Sequence, residues 1–243
     1  MGQAAVATTT FYRSVDDLRM KLALRTIKEA YENEYPIVVV DGGSPDEVCR
    51  QFHEQGAYLY HQEKPGMGAS RRQAIAEAAR LVNNDEVVIW MEPEKYTLVS
   101  EFPKIVPLVL NGQVDLVVPA RKTMASYPPE QQSAELFGNL AFAYLTCYNF
   151  DVWFGPRAMN QRAAQYFLDY QGEYGDKWDS IFIPLLRMVR DGLSLASIEV
   201  DYIHPQEQTA AESSFDFLVK RLDQLANLVP SMGQEARKLG LIR

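Results

Sequence analysis

A chain of 243 residues, 47% hydrophobic and 23% charged, has the composition of a soluble globular protein with a full core, and one domain is expected. The formal charge of −8 sets the average surface against a nucleic-acid backbone, so nucleic acid is excluded as a partner and any phosphate site has to be local. Cys49 and Cys147 fit no metal-ligand spacing and read as reduced thiols, no apolar run approaches the ~20 residues of a membrane span, and the Met-Gly-Gln-Ala start lacks the regions of a signal peptide, so a cytoplasmic protein is expected.

Ala4 to Phe11, rich in Val and Thr, reads as a first strand, and Val15 to Glu34 as a helix with Met20, Leu24, Ile27 and Tyr31 at helical spacing. Ile37 to Val40 is an uninterrupted β-branched run of the kind found in parallel strands covered on both faces. It stops at Asp41-Gly42-Gly43, and Ser44-Pro45-Asp46-Glu47 has the residues of a helix start, with Ser44 as N-cap. Tyr58 to Tyr60 is a short strand, Ala69 to Leu81 an alanine-rich helix after Pro65-Gly66-Met67-Gly68, and Glu86 to Met91 a strand that ends in Glu92-Pro93-Glu94. Leu98 to Leu110 reads as helical in spite of Pro103 and Pro107, and Val114 to Val118 as a strand. Beyond it, helices are expected over Glu130 to Cys147, Asn160 to Asp169 and Asp179 to Arg190, with strands over Phe150 to Phe154 and Leu195 to Ile203. A terminal helix carries Phe215, Leu218, Leu222, Leu225 and Val229 at spacings of three and four, which suits packing on the body of the protein, with the seam of a homodimer as the competing reading.

Alternating strands and helices imply right-handed βαβ units and an α/β fold with a mostly parallel, twisted sheet flanked by helices, whose ligands bind at the carboxyl ends of the strands. Asp41, the Gly66 to Gly68 turn and the Glu92/Glu94 pair all fall at such ends or beside them. Gly66-Met67-Gly68 before a helix offers backbone N–H groups to an anion, with Arg71 and Arg72 adding charge in the first turn, although a plain tight turn has the same composition. A dinucleotide fingerprint would place glycines after the first strand, where this chain has Thr8-Thr9-Thr10-Phe11, and a Walker-type loop is absent, so NAD and P-loop readings are set aside.

Asp41 either caps the turn into Ser44 or accepts a hydrogen bond from a base or ribose. Alternation aims Glu92 and Glu94 the same way, so they are either solvated charges or a shared site for a divalent cation. His204 closes the last expected strand, where a neutral imidazole can complete a carboxylate site. Asp179 is either a helix N-cap or, with Asp176, a group that orients or deprotonates an acceptor hydroxyl, and Trp178 between them offers a face to a sugar.

In order and spacing over the first 120 residues, Val-Val-Val-Asp41-Gly-Gly-Ser44, Gly66-Met-Gly68-Ala-Ser-Arg71-Arg72 and Ile-Trp-Met-Glu92-Pro-Glu94 resemble the family 2-like glycosyltransferases of the GT-A fold, which has a Rossmann-like sheet. The resemblance implies that Thr10 and Asp41 lie around the nucleotide base and ribose, that the Gly68 and Arg72 region lies beside the donor diphosphate, and that Glu92 and Glu94 fall on the acidic metal motif. There this chain has Glu-Pro-Glu in place of two aspartates. The second half is similar to GT-A enzymes that make glucosyl- and mannosyl-glycerate compounds. Phe154-Gly155-Pro156-Arg157 resembles their acceptor-side turn, Tyr174-Gly175-Asp176-Lys-Trp-Asp179 their acidic loop, and His204 their late metal ligand.

Together these readings imply a hexosyltransferase that moves a sugar from a UDP- or GDP-sugar to a hydroxyl of a small polar or sugar acceptor, assisted by Mg²⁺ or Mn²⁺. Residues 1–120 would form the nucleotide-sugar half, 121–205 the acceptor half and 206–243 a C-terminal helical segment. The rivals are a noncatalytic sugar-nucleotide binder of the same fold and a nucleotidyltransferase, whose Gly-rich basic loop after the first strand is absent.

Overall fold

The structure, a computed structural model, describes residues 3–242. Seven strands form one sheet in the order β3-β2-β1-β4-β6-β5-β7: β1 Ala4–Thr10, β2 Ile37–Asp41, β3 Tyr58–His61, β4 Val87–Trp90, β5 Leu116–Arg121, β6 Arg157–Met159 and β7 Leu195–Val200. Pairings within β1 to β4, and of β5 with β7, are parallel, while β6 runs antiparallel between β4 and β5. Six strands therefore deliver their carboxyl ends to one edge, and the reversed β6 delivers its amino end to that same edge.

Burial follows the period of two. Ala5, Ala7, Val38, Val40, Val88 and Trp90 face one apolar layer, and Ala4, Val6, Ile37, Val39, Val87 and Ile89 face the other. Apolar side chains on both faces are why these strands read as continuous apolar runs. On one side α1 (Leu18–Glu32), α2 (Asp46–Glu54) and α4 (Phe102–Leu110) cover the sheet. On the other lie α3 (Met67–Arg80), α5 (Pro129–Thr146), α6 (Gln161–Leu168), α7 (Ile183–Arg190) and α9 (Phe215–Lys238), and α8 (Gln206–Glu212) precedes α9. No helix is long and apolar enough to cross a membrane among the described residues.

Four expectations are corrected. Phe150 to Phe154 is not a strand: Val152–Phe154 forms a 3-10 turn, held where the Trp153 N–H donates to Asn139 Oδ1 at 3.0 Å and where the Trp153 indole lies on Gly138, which has no Cβ to obstruct it. The strand comes one turn later, at Arg157. Ser44 does not cap α2, which starts after Pro45; its hydroxyl is spent on Asp41. Asp179 opens a 3-10 turn, Trp178–Ile181, and α7 begins only at Ile183. Finally, the terminal stripe is only half covered: Leu225 and Val229 pack on the core, whereas Phe215 and Leu222 are exposed, because the face that α9 buries runs through Gln224, Leu228, Met232 and Ala236.

Candidate active site

The carboxyl edge of the sheet surrounds a cavity of about 100 Å³ into which Glu92, Glu94, Gly155, Trp178 and His204 all project. Topology explains the gathering. Glu92 and Glu94 follow β4, His204 follows β7, and Gly155 precedes the antiparallel β6, whose Arg157 pairs with Trp90 at the end of β4. A second cavity of about 280 Å³ lies on the other side of Trp178, against Asp179 and α9. A larger groove, about 1070 Å³, is lined by Tyr31, Tyr35, Tyr58 and Tyr60 at the amino ends of β2 and β3, and is remote from the acidic residues. The carboxyl-edge cavity is where charge converges, so it, and not the largest groove, is the candidate site.

Glu94 is buried and already partnered: Arg19 Nε lies 3.1 Å from its Oε1, and the Tyr12 hydroxyl donates to the same atom at 3.3 Å. The carboxylate in turn holds the Arg19 guanidinium above its ordinary value, and burial together with Glu94 pushes the Tyr12 phenol well up. Glu92 is less engaged. Its side chain lies over Gly155, whose φ of +103° and missing Cβ make room for it, and its Oε2 is buried with no hydrogen-bond partner. Lys95 Nζ stands 3.9 Å from that oxygen.

His204 is buried, stacked on Tyr127 at 4.1 Å, with Nε2 3.2 Å from Glu212 Oε2. Burial lowers the imidazole pKa below its ordinary value; Glu212 is itself buried, yet His204, Gln208 and Arg19 outweigh that and hold its carboxyl at about 2. A neutral ring beside an ionised carboxylate places the proton on Nε2, because the carboxylate only accepts. Nδ1 then carries a free lone pair, and it has no partner.

Two unpartnered donor atoms of the kinds that bind a divalent ion, Glu92 Oε2 and His204 Nδ1, thus border one cavity, and in chemistry they fit such a group. The three expected ligands do not close on a common point. Among the described residues the only set of three acidic, histidine or cysteine ligand atoms lying mutually close is Asp41, Cys49 and His61. That set is poorly suited to a cation, since burial, with Asp41 beside it, pushes the Cys49 thiol up to about 11.

Asp41 proves to be a turn anchor. One oxygen accepts the N–H groups of Gly43 (2.9 Å) and Ser44 (2.6 Å), and the other accepts the hydroxyls of Thr10 (2.8 Å) and Ser44 (2.6 Å). Thr10 is committed to the same knot, so neither presents a free side-chain group to a base or ribose. Ser44 also accepts the Tyr12 N–H at 2.8 Å, which links this turn through Tyr12 to Glu94.

The glycine turn and the acidic loop serve each other. Gly66, at φ +122°, precedes α3; Gly68 N–H donates to the Asp176 carbonyl, and a Cβ on Gly68 would lie 1.9 Å from Asp176 Oδ1. Arg72 grips the Asp176 carboxylate with both terminal nitrogens, at 2.6 and 2.8 Å. Arg71 is buried between Trp90 and Trp178, donating to the Lys177 carbonyl (2.7 Å) and Ser180 Oγ (2.9 Å), and burial lowers its pKa to about 10. Arg72 thus takes its anion from within the chain, whereas the hydrogen-bond partners of Arg71 are neutral oxygens. Asp179 accepts from Asp176 N–H (3.1 Å), Lys177 N–H (2.7 Å) and the Tyr170 hydroxyl. As placed, neither Asp176 nor Asp179 offers a free carboxylate to an acceptor. Arg157, too, is structural: it is fully buried, with two nitrogens on the carbonyls of Pro156 and Val152. Gly155 and Trp178 do line the site.

Sequence reasoning passed over the cations of the cavity: Arg19 on α1, Lys95, and Lys220 and Arg221 on α9, with Glu135, Glu212 and Tyr127 among them. Partial desolvation at the mouth of the cavity, with Arg19 and Arg221 nearby, lowers the pKa of Lys220, a residue otherwise exposed. Only Lys95, directly behind the acidic pair, carried a signal in the sequence.

No protein-family model matches the chain, and no curated protein matches it in sequence. Solved structures do match in fold. Glucosyl-3-phosphoglycerate synthase from Mycobacterium tuberculosis, in complex with Mn²⁺, UDP-glucose and phosphoglyceric acid, superimposes with a TM-score of 0.57 at 14% identity over 94% of this chain and 80% of its own. The same enzyme with phosphoglyceric acid gives 0.56 at 14% identity, over 89% and 79%. A further mycobacterial protein gives 0.58 at 15% identity, over 92% and 74%. The chain has the GT-A fold. Mn²⁺ and UDP or UDP-glucose occupy several of these matching structures.

Proposed function

We propose that the chain is a glycosyltransferase that moves a hexose from a nucleotide-diphosphate sugar, UDP-linked as in its structural neighbours, to a hydroxyl of a small acceptor. The carrying observation is that Glu92, Glu94 and His204, which sequence reasoning selected from two separate strand ends, border one cavity at the carboxyl edge of a GT-A sheet. A divalent cation, Mn²⁺ or Mg²⁺, would be held by the unpartnered Glu92 Oε2 and His204 Nδ1, with Glu94, whose Oε1 is engaged by Arg19 and Tyr12, drawn in as the third ligand when the ion binds, and when bound would neutralise charge on the departing diphosphate.

The chain's own groups supply the rest. Arg19, Lys95, Lys220 and Arg221 offset the four carboxylates Glu92, Glu94, Glu135 and Glu212 of the same cavity, and Lys95 and Lys220, which hydrogen-bond to none of them, are left to face an anionic leaving group. A space of about 100 Å³ holds the reacting centre and not a whole nucleotide sugar, so the nucleoside lies outward along the rim, towards the ends of β1 and β2. The sugar C1–oxygen bond breaks towards the diphosphate and a new bond forms from the acceptor oxygen, whose proton leaves with the diphosphate or solvent. Trp178 and Gly155 form the wall on the acceptor side, and the basic residues of α9 suit an acceptor bearing a carboxylate or phosphate, the class of phosphoglyceric acid and glycerol 3-phosphate seen in the neighbours.

A noncatalytic sugar-nucleotide binder is the second reading, favoured by the internal engagement of Asp176 and Asp179. Incubation of UDP-glucose and GDP-glucose with the protein and Mn²⁺, with and without 3-phosphoglycerate, separates the two. Release of UDP that rises on adding acceptor is expected. Binding without release supports the binder, and no binding of either donor contradicts both.

A further inference from the structure

Lys95 stands out among the buried cations. Arg121, the nearest comparison, is ion-paired on both sides: Asp151 takes two of its nitrogens at 2.7 Å and Glu135 approaches the third at 2.6 Å. Lys95 has only 13% of its side chain exposed, yet its ammonium makes no hydrogen bond to any described residue. The Phe154 and Tyr202 rings lie 4.6 and 5.3 Å away, and Glu92 at 3.9 Å is beyond hydrogen-bonding reach. Rings stabilise an ammonium but accept none of its three protons well. The stem is buried while Nζ stays accessible from the cavity, so its unused donors are open to an oxygen ligand there, and a mostly enclosed ammonium favours an anionic one.

The backbone fixes this placement. The Lys95 N–H closes a turn on the Glu92 carbonyl at 3.3 Å, so the side chain leaves the end of β4 between the two carboxylates and the Phe154 wall. A rigid turn on a strand end is a precise mount for a charge.

We propose that Lys95 is a built-in counter-charge for the donor diphosphate, so that nucleotide binding is strengthened by the divalent cation without depending on it. The inference rests on the glycosyltransferase reading and adds to it: part of the positive charge at the diphosphate belongs to the protein, and sits where it competes with metal for Glu92.

Calorimetric titration of the full chain with UDP, once in excess EDTA and once in Mn²⁺, tests it. The wild type is expected to bind UDP in EDTA, more weakly as NaCl rises. Lys95→Met is expected to lose about 10- to 100-fold in EDTA, the worth of a charge-assisted hydrogen bond, and less in Mn²⁺, with Lys95→Arg retaining part of the EDTA binding. Wild type that binds UDP in Mn²⁺ but not in EDTA overturns the proposal whatever the variants do, as does a folded Lys95→Met that titrates like wild type in EDTA. Absence of UDP binding to wild type in both buffers instead removes the glycosyltransferase reading itself.

Discussion

Replacing Gly155 by alanine should damage the site and the fold by separable amounts. The residue sits at φ +103°, where an L side chain is strained by about 1–3 kcal/mol. Its new Cβ would lie 2.1 Å from Glu92 Oε1, 2.4 Å from Oε2 and 2.6 Å from Cδ. Glu92 is a flexible side chain, so it withdraws by about 1 Å at little further steric cost, and a displacement of that size at a reacting centre costs about 100-fold in rate. For a domain of this length the backbone strain lowers the melting temperature by about 2–12 °C. Thermal melting reads the strain, and UDP calorimetry with sugar-transfer rates in Mn²⁺ reads the displacement, with Glu92→Gln as the control that removes the charge and leaves the turn alone. Gly155→Ala should fall in melting, binding and transfer, and Glu92→Gln in binding and transfer only. A Gly155→Ala protein that melts lower but binds UDP as wild type does would show that Glu92 is not part of the donor site.

Glu94→Gln should weaken UDP binding in Mn²⁺ by about tenfold or more while leaving the titration in EDTA nearly unchanged, since Glu94 contributes to the metal and not to the phosphates; equal metal dependence in mutant and wild type would reject the ligand assignment. Asp179→Asn should cost about 2 kcal/mol or more in denaturant unfolding, because one amide oxygen cannot accept from Asp176, Lys177 and Tyr170 as the carboxylate does; an unchanged midpoint would free Asp179 for a direct role. Acid should unfold the protein through two groups of the same sign. Burial depresses the His204 pKa, so its share of stability is lost as pH falls below 6.5, and Glu212, held at about 2 against an ordinary 4.5, contributes about 3 kcal/mol above pH 4.5 that is lost as pH falls through about 2. Glu212→Gln should therefore flatten the stability profile between those limits, and a mutant with the wild-type slope would refute the pairing with His204.

The sheet was legible because β-branched runs covered on both faces leave little choice of structure, and two strand ends followed from where those runs stop at Asp41 and before Glu92, whereas the last strand ends at Val200, short of the expected Ile203. Two kinds of information were not legible. Helix rotation decides which charges reach the cavity, and nothing in the sequence aims Arg19 or Arg221 inwards; the apolar stripe of α9 even indicated a face that is half exposed at Phe215 and Leu222. Internal pairing was the other: Asp41, Asp176 and Asp179 have the residue types and loop positions of functional carboxylates, but each is consumed by nearby N–H groups, hydroxyls or Arg72, contacts that only folding creates. The strand misplaced at Phe150 failed for a simpler reason, since four apolar residues around Asp151 and beside a glycine suit a buried turn as well as a strand.

Soaking crystals with UDP and Mn²⁺ and recording anomalous scattering at the manganese edge tests the central claim most directly. The expected result is a single strong peak in the cavity between Glu92, Glu94 and His204, with the diphosphate beside it and within reach of Lys95. Manganese at Asp41, Cys49 and His61, or UDP in the tyrosine-lined groove at the opposite end of the sheet, would contradict it.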